Sequence, residues 1–246
     1  MNKLALWGYD RADCRAMFNL SEEDMASKIL EYGCGPNILN LQQKKAIQEI
    51  SNFSHKTDEE TNSFEDHVVI SCDPLFVLDK DTLSSKVRLI FADVIESIKK
   101  NQIPFDFNSS EGLDALVAER LQGIHQFFED YDLGKMQNRY LGVTDYHLPF
   151  SDFYFDFALS AHYLFADLQG QTVDYHLEVI RELARVAKEV RLFPLIDSNG
   201  DTSQLLGPVL LGLQQENYGV EVKEVNFHLH KAGNAMLRIW AQQCPI

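Results

Sequence analysis

The chain has 246 residues, a mass of 28.2 kDa and a hydrophobic fraction of 45%, the makeup of a globular protein with a sizeable core. Its 37 acidic residues against 22 lysines and arginines leave a net charge of −15, a field that repels polyphosphate backbones and argues against a nucleic-acid partner. Four scattered cysteines (Cys14, Cys34, Cys72, Cys244) without C-x-x-C spacing point to reduced thiols, and the lack of a long apolar run or signal-like N-terminus points to a cytoplasmic protein with no membrane partner.

Residues 1–27 carry Trp7, Tyr9, Met17 and Phe18, then S-E-E-D-M from Ser21. Ser21 with Asp24 three positions on is a helix N-cap arrangement, so a short helical cap is expected, its aromatics used for packing. Next comes K-I-L-E-Y-G-C-G-P-N-I-L-N-L over residues 28–41. A short apolar run ending in an acid and a Gly-x-Gly turn reads as a strand feeding a glycine-rich loop. Glycines are needed where the backbone turns sharply and a ligand approaches without a Cβ in the way. Taken alone the turn is also compatible with an ordinary loop. Residues 40–50 follow as an amphipathic helix (Leu41, Ala46, Ile47, Ile50). Residues 51–66 form a polar loop whose histidine and acids match no metal-ligand spacing.

Residues 67–73 (H-V-V-I-S-C-D) read as a second buried strand closed by Asp73. In nucleotide-binding α/β folds, an acid at this place accepts hydrogen bonds from a ribose diol. Its distance from the glycine turn exceeds the usual spacing of about 20 residues, and the polar loop accounts for most of the excess. Between residues 77 and 138 the pattern is helical twice over. Leu83, Val87, Ile90, Phe91, Val94 and Ile98 share one helix face, and Leu113 to Tyr131 repeat the pattern after Ser109 or Ser110 as N-cap. A parallel crossover needs only about a dozen residues, so this is an insertion. It is expected to form a cap over the carboxyl edge of the sheet, resting on residues 163–165, with Phe127, Phe128 and Tyr131 at or near the reacting end of the ligand. Further strands are expected at 140–144, 155–160, 190–195, 220–229 and 235–241, and helices at 173–189 and 205–217. No repeat or linker divides the chain, so residues 1–246 are expected to form a single domain.

The order of glycine loop, acid-ended strand, L-P-F-x-D-x-x-F-D, buried strand, the helix I-R-E-L-A-R-V and the strand V-R-L-F-P-L resembles the class I S-adenosylmethionine-dependent methyltransferases. The likeness covers almost the whole chain. More narrowly, C-D-P-L-F, S-A-H-Y-L-F and G-N-A-M-L-R are similar to a bacterial methyltransferase-like group of unassigned substrate. The resemblance implies an α/β, Rossmann-like, seven-stranded and mostly parallel sheet of order 3-2-1-4-5-7-6, the last strand antiparallel. The K-A-G-N segment between the last two expected strands suits such a hairpin and argues against a six-stranded NAD fold.

The resemblance also implies the site. Glu31, Gly33, Cys34 and Gly35 would form the loop that receives the methionine and ribose portions of S-adenosylmethionine. The third family glycine is replaced by Asn37. Asp73, followed by Pro74, would hold the ribose hydroxyls. Thr144 and Asp145 stand where the family often places the adenine-recognising aspartate. Ser160, His162 and Tyr163 follow the fourth strand, where methyl group and acceptor meet. His162 could serve as a general base or simply as a packed histidine, and Tyr163 stands beside it. Asp73-Pro74-Leu75-Phe76 is like the D-P-P-Y motif of amino-methylating enzymes but follows the wrong strand, so it does not identify an acceptor. The function expected is methyl transfer to a small-molecule or protein acceptor. The alternatives are a catalytically silent binding protein on the same fold and a different nucleotide-dependent enzyme.

Overall fold

The computed structural model describes residues 3–53, 68–100, 110–144, 146–165, 171–197, 199–227 and 233–241. The N-terminal region is a 3-10 turn (Lys3–Leu6) followed by α1 (Arg11–Met17) and α2 (Glu22–Met25). Both helices begin in reciprocal capping boxes, Asp10 with Asp13 and Ser21 with Asp24, each satisfying two otherwise orphaned N–H groups.

Seven strands form one sheet: β1 (Ile29–Tyr32), β2 (Val69–Asp73), β3 (Tyr140–Gly142), β4 (Phe155–Ala161), β5 (Ala187–Phe193), β6 (Tyr218–Glu224) and β7 (Ala235–Ala241). The order is β3-β2-β1-β4-β5-β7-β6. β1 to β5 run parallel to one another, and β7 is antiparallel to both β5 and β6. This is the expected arrangement. β1 and β2 are buried along their whole length, as strands covered on both faces must be. Side-chain alternation sorts them onto two cores. Ile29, Val69 and Leu159 face the N-terminal cap, whereas Leu30, Ile70 and Ala158 face the opposite layer.

The remaining helices are α3 (Leu39–Phe53), α4 (Lys80–Lys99), α5 (Ser110–Met136), α6 (Val173–Val186) and α7 (Leu206–Gln215). α4 and α5, between β2 and β3, contribute Val87, Phe91, Ile124, Phe127 and Tyr131 to the first core. Leu164 and Phe165 belong to the second, with Tyr163 packed against it. The expected seating of the two helices on residues 163–165 is therefore corrected. Phe127 and Tyr131 instead surround Phe76 and Tyr140, with ring centroids 5.1–6.0 Å apart, and the Tyr131 hydroxyl donates to the Phe76 and Leu78 carbonyls.

Element boundaries also differ from expectation. α3 continues to Phe53, into the expected polar loop 51–66, and the rest of that loop lies outside the described residues. The expected helix 173–189 stops at Val186, and Ala187 is already extended in β5, paired with Phe155. Sheet pairing overrides the helical preference of Ala187, Lys188 and Glu189. β6 spans Tyr218–Glu224, its pairing with β7 ending at Glu224 and Ala235, rather than 220–229, of which residues 228 and 229 lie outside the described residues. Beyond that point Phe227 turns inward against Tyr9 and Phe193.

Candidate functional site

β1 ends in Tyr32, and the chain turns at once through Gly33 (φ +63°), Cys34 and Gly35 (φ +55°). These left-handed angles are open to glycine at little cost. The turn is fastened to the neighbouring strand at two points. Gly33 N–H donates to the Cys72 carbonyl at 2.8 Å, and Gly35 N–H donates to Asp73 Oδ2 at 2.8 Å. The other Asp73 oxygen accepts from Leu75 N–H at 2.7 Å, capping a 3-10 turn (Pro74–Val77) that starts at half-buried Pro74. Asp73 is thus 1% exposed, with both oxygens engaged by backbone. Burial pushes its carboxyl up to about 6, against the pull of the Leu75 and Gly35 hydrogen bonds.

Glu31 lies beneath the turn. Its carboxylate accepts from the Ser71 hydroxyl at 2.8 Å and from Asn37 Nδ2 at 3.3 Å. Burial, only partly offset by these bonds, raises it to about 7. Ser71 continues into a buried network in which Asn40 links the Val69 and Arg139 carbonyls and accepts from the Arg139 guanidinium, itself paired with Asp130. Asn37 has a second role at the position of the absent third glycine. Its Oδ1 accepts from Tyr9 N–H at 2.9 Å, joining the glycine loop to the N-terminal segment.

That segment covers the loop. A Cβ on Gly35 would stand 2.5 Å from the Ala5 carbonyl oxygen and 2.6 Å from Leu6 Cδ2. A Cβ on Gly33 would stand 2.2 Å from the ring of Tyr163. The Tyr163 ring also packs edge-on against Tyr32, and its hydroxyl bonds the Tyr175 hydroxyl at 3.2 Å. Burial, then Tyr175, lifts the Tyr163 phenol well above its ordinary range. Cys34, between the glycines, is buried, and burial followed by Glu31 pushes its thiol up. The space that a side chain would take at each of these glycines is filled by the chain's own Tyr163 at Gly33 and by Ala5 and Leu6 at Gly35.

The residues after β4 separate. His162 (φ +56°) donates its backbone N–H to the Phe193 carbonyl at 2.6 Å. Its ring is 4% exposed, stacked on Tyr9 at 5.2 Å and 8° and edged by Phe193. Tyr163 turns to the other side, toward Tyr32 and Tyr175. Ser160, in β4, is buried, and its hydroxyl has no hydrogen-bond partner among the described residues. Thr144 is exposed just beyond β3, and Asp145 lies outside the described residues. Glu31, Gly33, Cys34, Gly35, Asp73 and Pro74 therefore form one cluster, flanked by His162 on one side and Tyr163 on the other.

The sequence reading did not single out the residues that close this cluster. Arg120 of α5, 2% exposed, pairs with Asp13, and its guanidinium lies 5.2 Å from the centre of the Tyr9 ring. Gly8 packs so tightly on α5 that a Cβ there would stand 2.8 Å from Ile124 Cγ1. The only local signal was the aromatic content of residues 1–27. Asp10, Asp13 and Glu119 also gather their carboxylates within 4.8 Å, but Asp13 is committed to Arg120. A groove of about 380 Å³ lies beside α6, lined by Tyr146, His147, Glu178, Arg181, Glu182 and Arg185. Its arginines are held by Glu216 and by Glu182 and Asp152, so its charges are balanced internally.

No family model matches the chain. It is similar to the uncharacterized protein MJ0045 of the archaeon Methanocaldococcus jannaschii, 26% identical over 223 residues, covering 91% of this chain and 90% of that one. Among solved structures it is similar to the magnesium protoporphyrin IX methyltransferase ChlM of Synechocystis PCC 6803 with bound SAM, at 10% identity and a TM-score of 0.44, covering 90% of this chain and 73% of that one. It is also similar to a SAM-dependent methyltransferase from Aquifex aeolicus, at 14% identity and a TM-score of 0.39, covering 98% of both chains. The fold assignment rests on the chain's own strand order. With its order 3-2-1-4-5-7-6 and its antiparallel last strand, the chain has the fold of the class I S-adenosylmethionine-dependent methyltransferases.

Proposed function

We propose that the protein binds S-adenosylmethionine at the carboxyl edge of β1 and β2 and transfers a methyl group to a small-molecule or protein acceptor. The observation that carries this reading is the hydrogen bond from Gly35 N–H to Asp73. It joins a glycine turn to a strand-end acid beside the β1/β4 boundary, where the strand order reverses. Ligands of open α/β sheets bind outside the carboxyl ends of the strands at such a point. Asp73 would hold the ribose diol, Gly33 to Gly35 would receive the amino-acid portion, and Thr144 and Asp145 would lie near the base. S-adenosylmethionine, when bound, brings a methyl group already activated on a positively charged sulfur, which leaves alignment and exclusion of water to the protein.

The single domain, with residues 1–27 and 77–138 as helical caps, and the cytoplasmic location belong to the same reading. No helix among the described residues is long and apolar enough to cross a membrane. The net charge of −15 favours an acceptor other than nucleic acid. A specific observation favours a second reading, a methyltransferase fold used only for binding: the space beside Gly33 and Gly35 is filled, and His162 is stacked under Tyr9. Calorimetric titration with S-adenosylmethionine, with NAD as competitor, separates these readings. Saturable heat that NAD does not displace supports the proposal. No heat and no thermal shift would leave the binding-only reading.

A further inference from the structure

We infer that Leu4 to Tyr9, with Tyr163, form a displaceable strap that shuts the glycine loop, so that the structure is the closed state of the proposed cofactor site. This inference rests on the reading of that loop as the S-adenosylmethionine site. The strap meets the loop where each glycine lacks a side chain: the Ala5 carbonyl and Leu6 press on Gly35, and the Tyr163 ring presses on Gly33. A ligand that approaches Gly33 or Gly35 from the side its missing Cβ leaves open would meet the strap there.

The strap is buried, with Leu6, Trp7 and Tyr9 each 1% exposed or less and part of the first core, so it opens only as a unit. The Lys3–Leu6 turn has little internal structure, and Trp7 N–H donates to the Leu4 carbonyl at 3.2 Å. Its other fastenings are to outside groups. Trp7 stacks on Phe91 of α4 at 4.9 Å. Tyr9 N–H donates to Asn37, and the Tyr9 carbonyl accepts from Ile38 N–H at 3.0 Å. Arg120 bridges the Gly8 carbonyl and Asp13. Closure also carries a local penalty. The Tyr9 hydroxyl and Arg120 Nε are buried without a hydrogen-bond partner among the described residues, and buried polar groups left unmade are costly. Asn37, in place of a third glycine, supplies the hook that a glycine could not.

A closed ground state lowers apparent affinity by the fraction of molecules that are open, and loosening the strap should recover it. The test combines hydrogen exchange on the full chain, with and without S-adenosylhomocysteine, and titration of S-adenosylmethionine into the wild type and Leu6→Ala. Ligand should speed exchange in residues 4–9 while slowing it in 31–38. Leu6→Ala, with faster exchange in 4–9 without ligand, should bind about fivefold tighter or better. Wild-type protein that binds ligand with exchange in 4–9 unchanged or slowed overturns the strap and leaves the cofactor reading standing. Absence of binding by both proteins, with 4–9 demonstrably loosened in the variant, overturns both ideas. Where Leu6→Ala loses its cooperative melt, Arg120→Met replaces it, and the wild-type exchange result decides by itself.

Discussion

Glu31→Gln should make the protein more stable at alkaline pH. The Glu31 carboxyl is 3% exposed and has no cationic partner among the described residues; its hydrogen bonds come from Ser71 and Asn37. Burial raises it from 4.5 to about 7. Below pH 4.5 both folded and unfolded chains hold the proton, and the fold has its full stability. Between 4.5 and about 7 the unfolded chain ionises first, so stability falls as pH rises through that window. At about 1.4 kcal/mol per pH unit of displacement, the loss reaches on the order of 3 kcal/mol by pH 8.

Glutamine escapes this loss at a smaller cost, because the Ser71 hydroxyl proton now held by Glu31 must find another acceptor. Its carbonyl can take the Asn37 amide bond. Its NH2 can donate to the Ser71 hydroxyl, which then turns to act as acceptor. The Asn37 amide is fixed in orientation because its oxygen accepts from Tyr9 N–H. The assay is thermal unfolding of both proteins at pH 5 and pH 8. The variant should gain roughly 6 °C or more over the wild type at pH 8 and much less at pH 5. Asp73, raised from 3.8 to about 6, loses stability in the same direction, but both proteins retain it and the comparison cancels it. Parallel melting curves for the two proteins across pH 5 to 8 would refute the buried, uncompensated carboxyl.

Asp73→Ala should weaken S-adenosylmethionine binding by about tenfold or more, since a charge-assisted hydrogen bond is worth about 1.5–3 kcal/mol. The same variant strands Gly35 and Leu75 N–H and should lower stability by about 1–3 kcal/mol, so titration must be paired with a melt. Unchanged affinity in the folded variant would remove Asp73 from the proposed site. Gly33→Ala should cost at least about 2 kcal/mol, from its left-handed backbone and the Tyr163 ring together. In a Tyr163→Ala background the steric part should vanish in a double-mutant cycle by urea unfolding, and equal cost in both backgrounds would show that the ring is not what requires the glycine.

The sheet was legible because its signals are local. Residues 28–35 and 67–73 each combine an apolar run with an ending that terminates a buried parallel strand, and the last two strands are close enough to form a hairpin. What escaped notice depends on partners far away in the chain. Ala187, Lys188 and Glu189 continue a helical pattern, and only the register with Phe155 and Phe157 draws them into the sheet. The glycine turn and Asp73 were found by type and order. Their mutual hydrogen bond, which leaves the acid almost inaccessible, depends on a loop conformation that composition does not encode. Trp7 and Tyr9 were read correctly as packing residues, yet nothing local says that they pack over the glycine loop. His162 and Tyr163 look like neighbours at one site. In the fold His162 packs on Tyr9 and Phe193, whereas Tyr163 packs on Tyr32 and bonds Tyr175.

The joint between α6 and β5 sets a limit on how this chain can change length. Val186 closes the helix and Ala187 opens the strand, with no connecting residue. Arg185, one position earlier, anchors the preceding loop through the Leu148 and Phe150 carbonyls and Asp152. One residue added here cannot be absorbed by a bulging loop. It would break the pairing of Ala187 with Phe155, or pass into the strand and reverse its faces. In the second case Val190 and Leu192 would exchange cores with Arg191, whose guanidinium now binds the Phe18 and Asn19 carbonyls. Its charge would then enter the apolar layer beneath α6. A tag, a fused domain or a new chain terminus belongs elsewhere, because this junction has no slack to share.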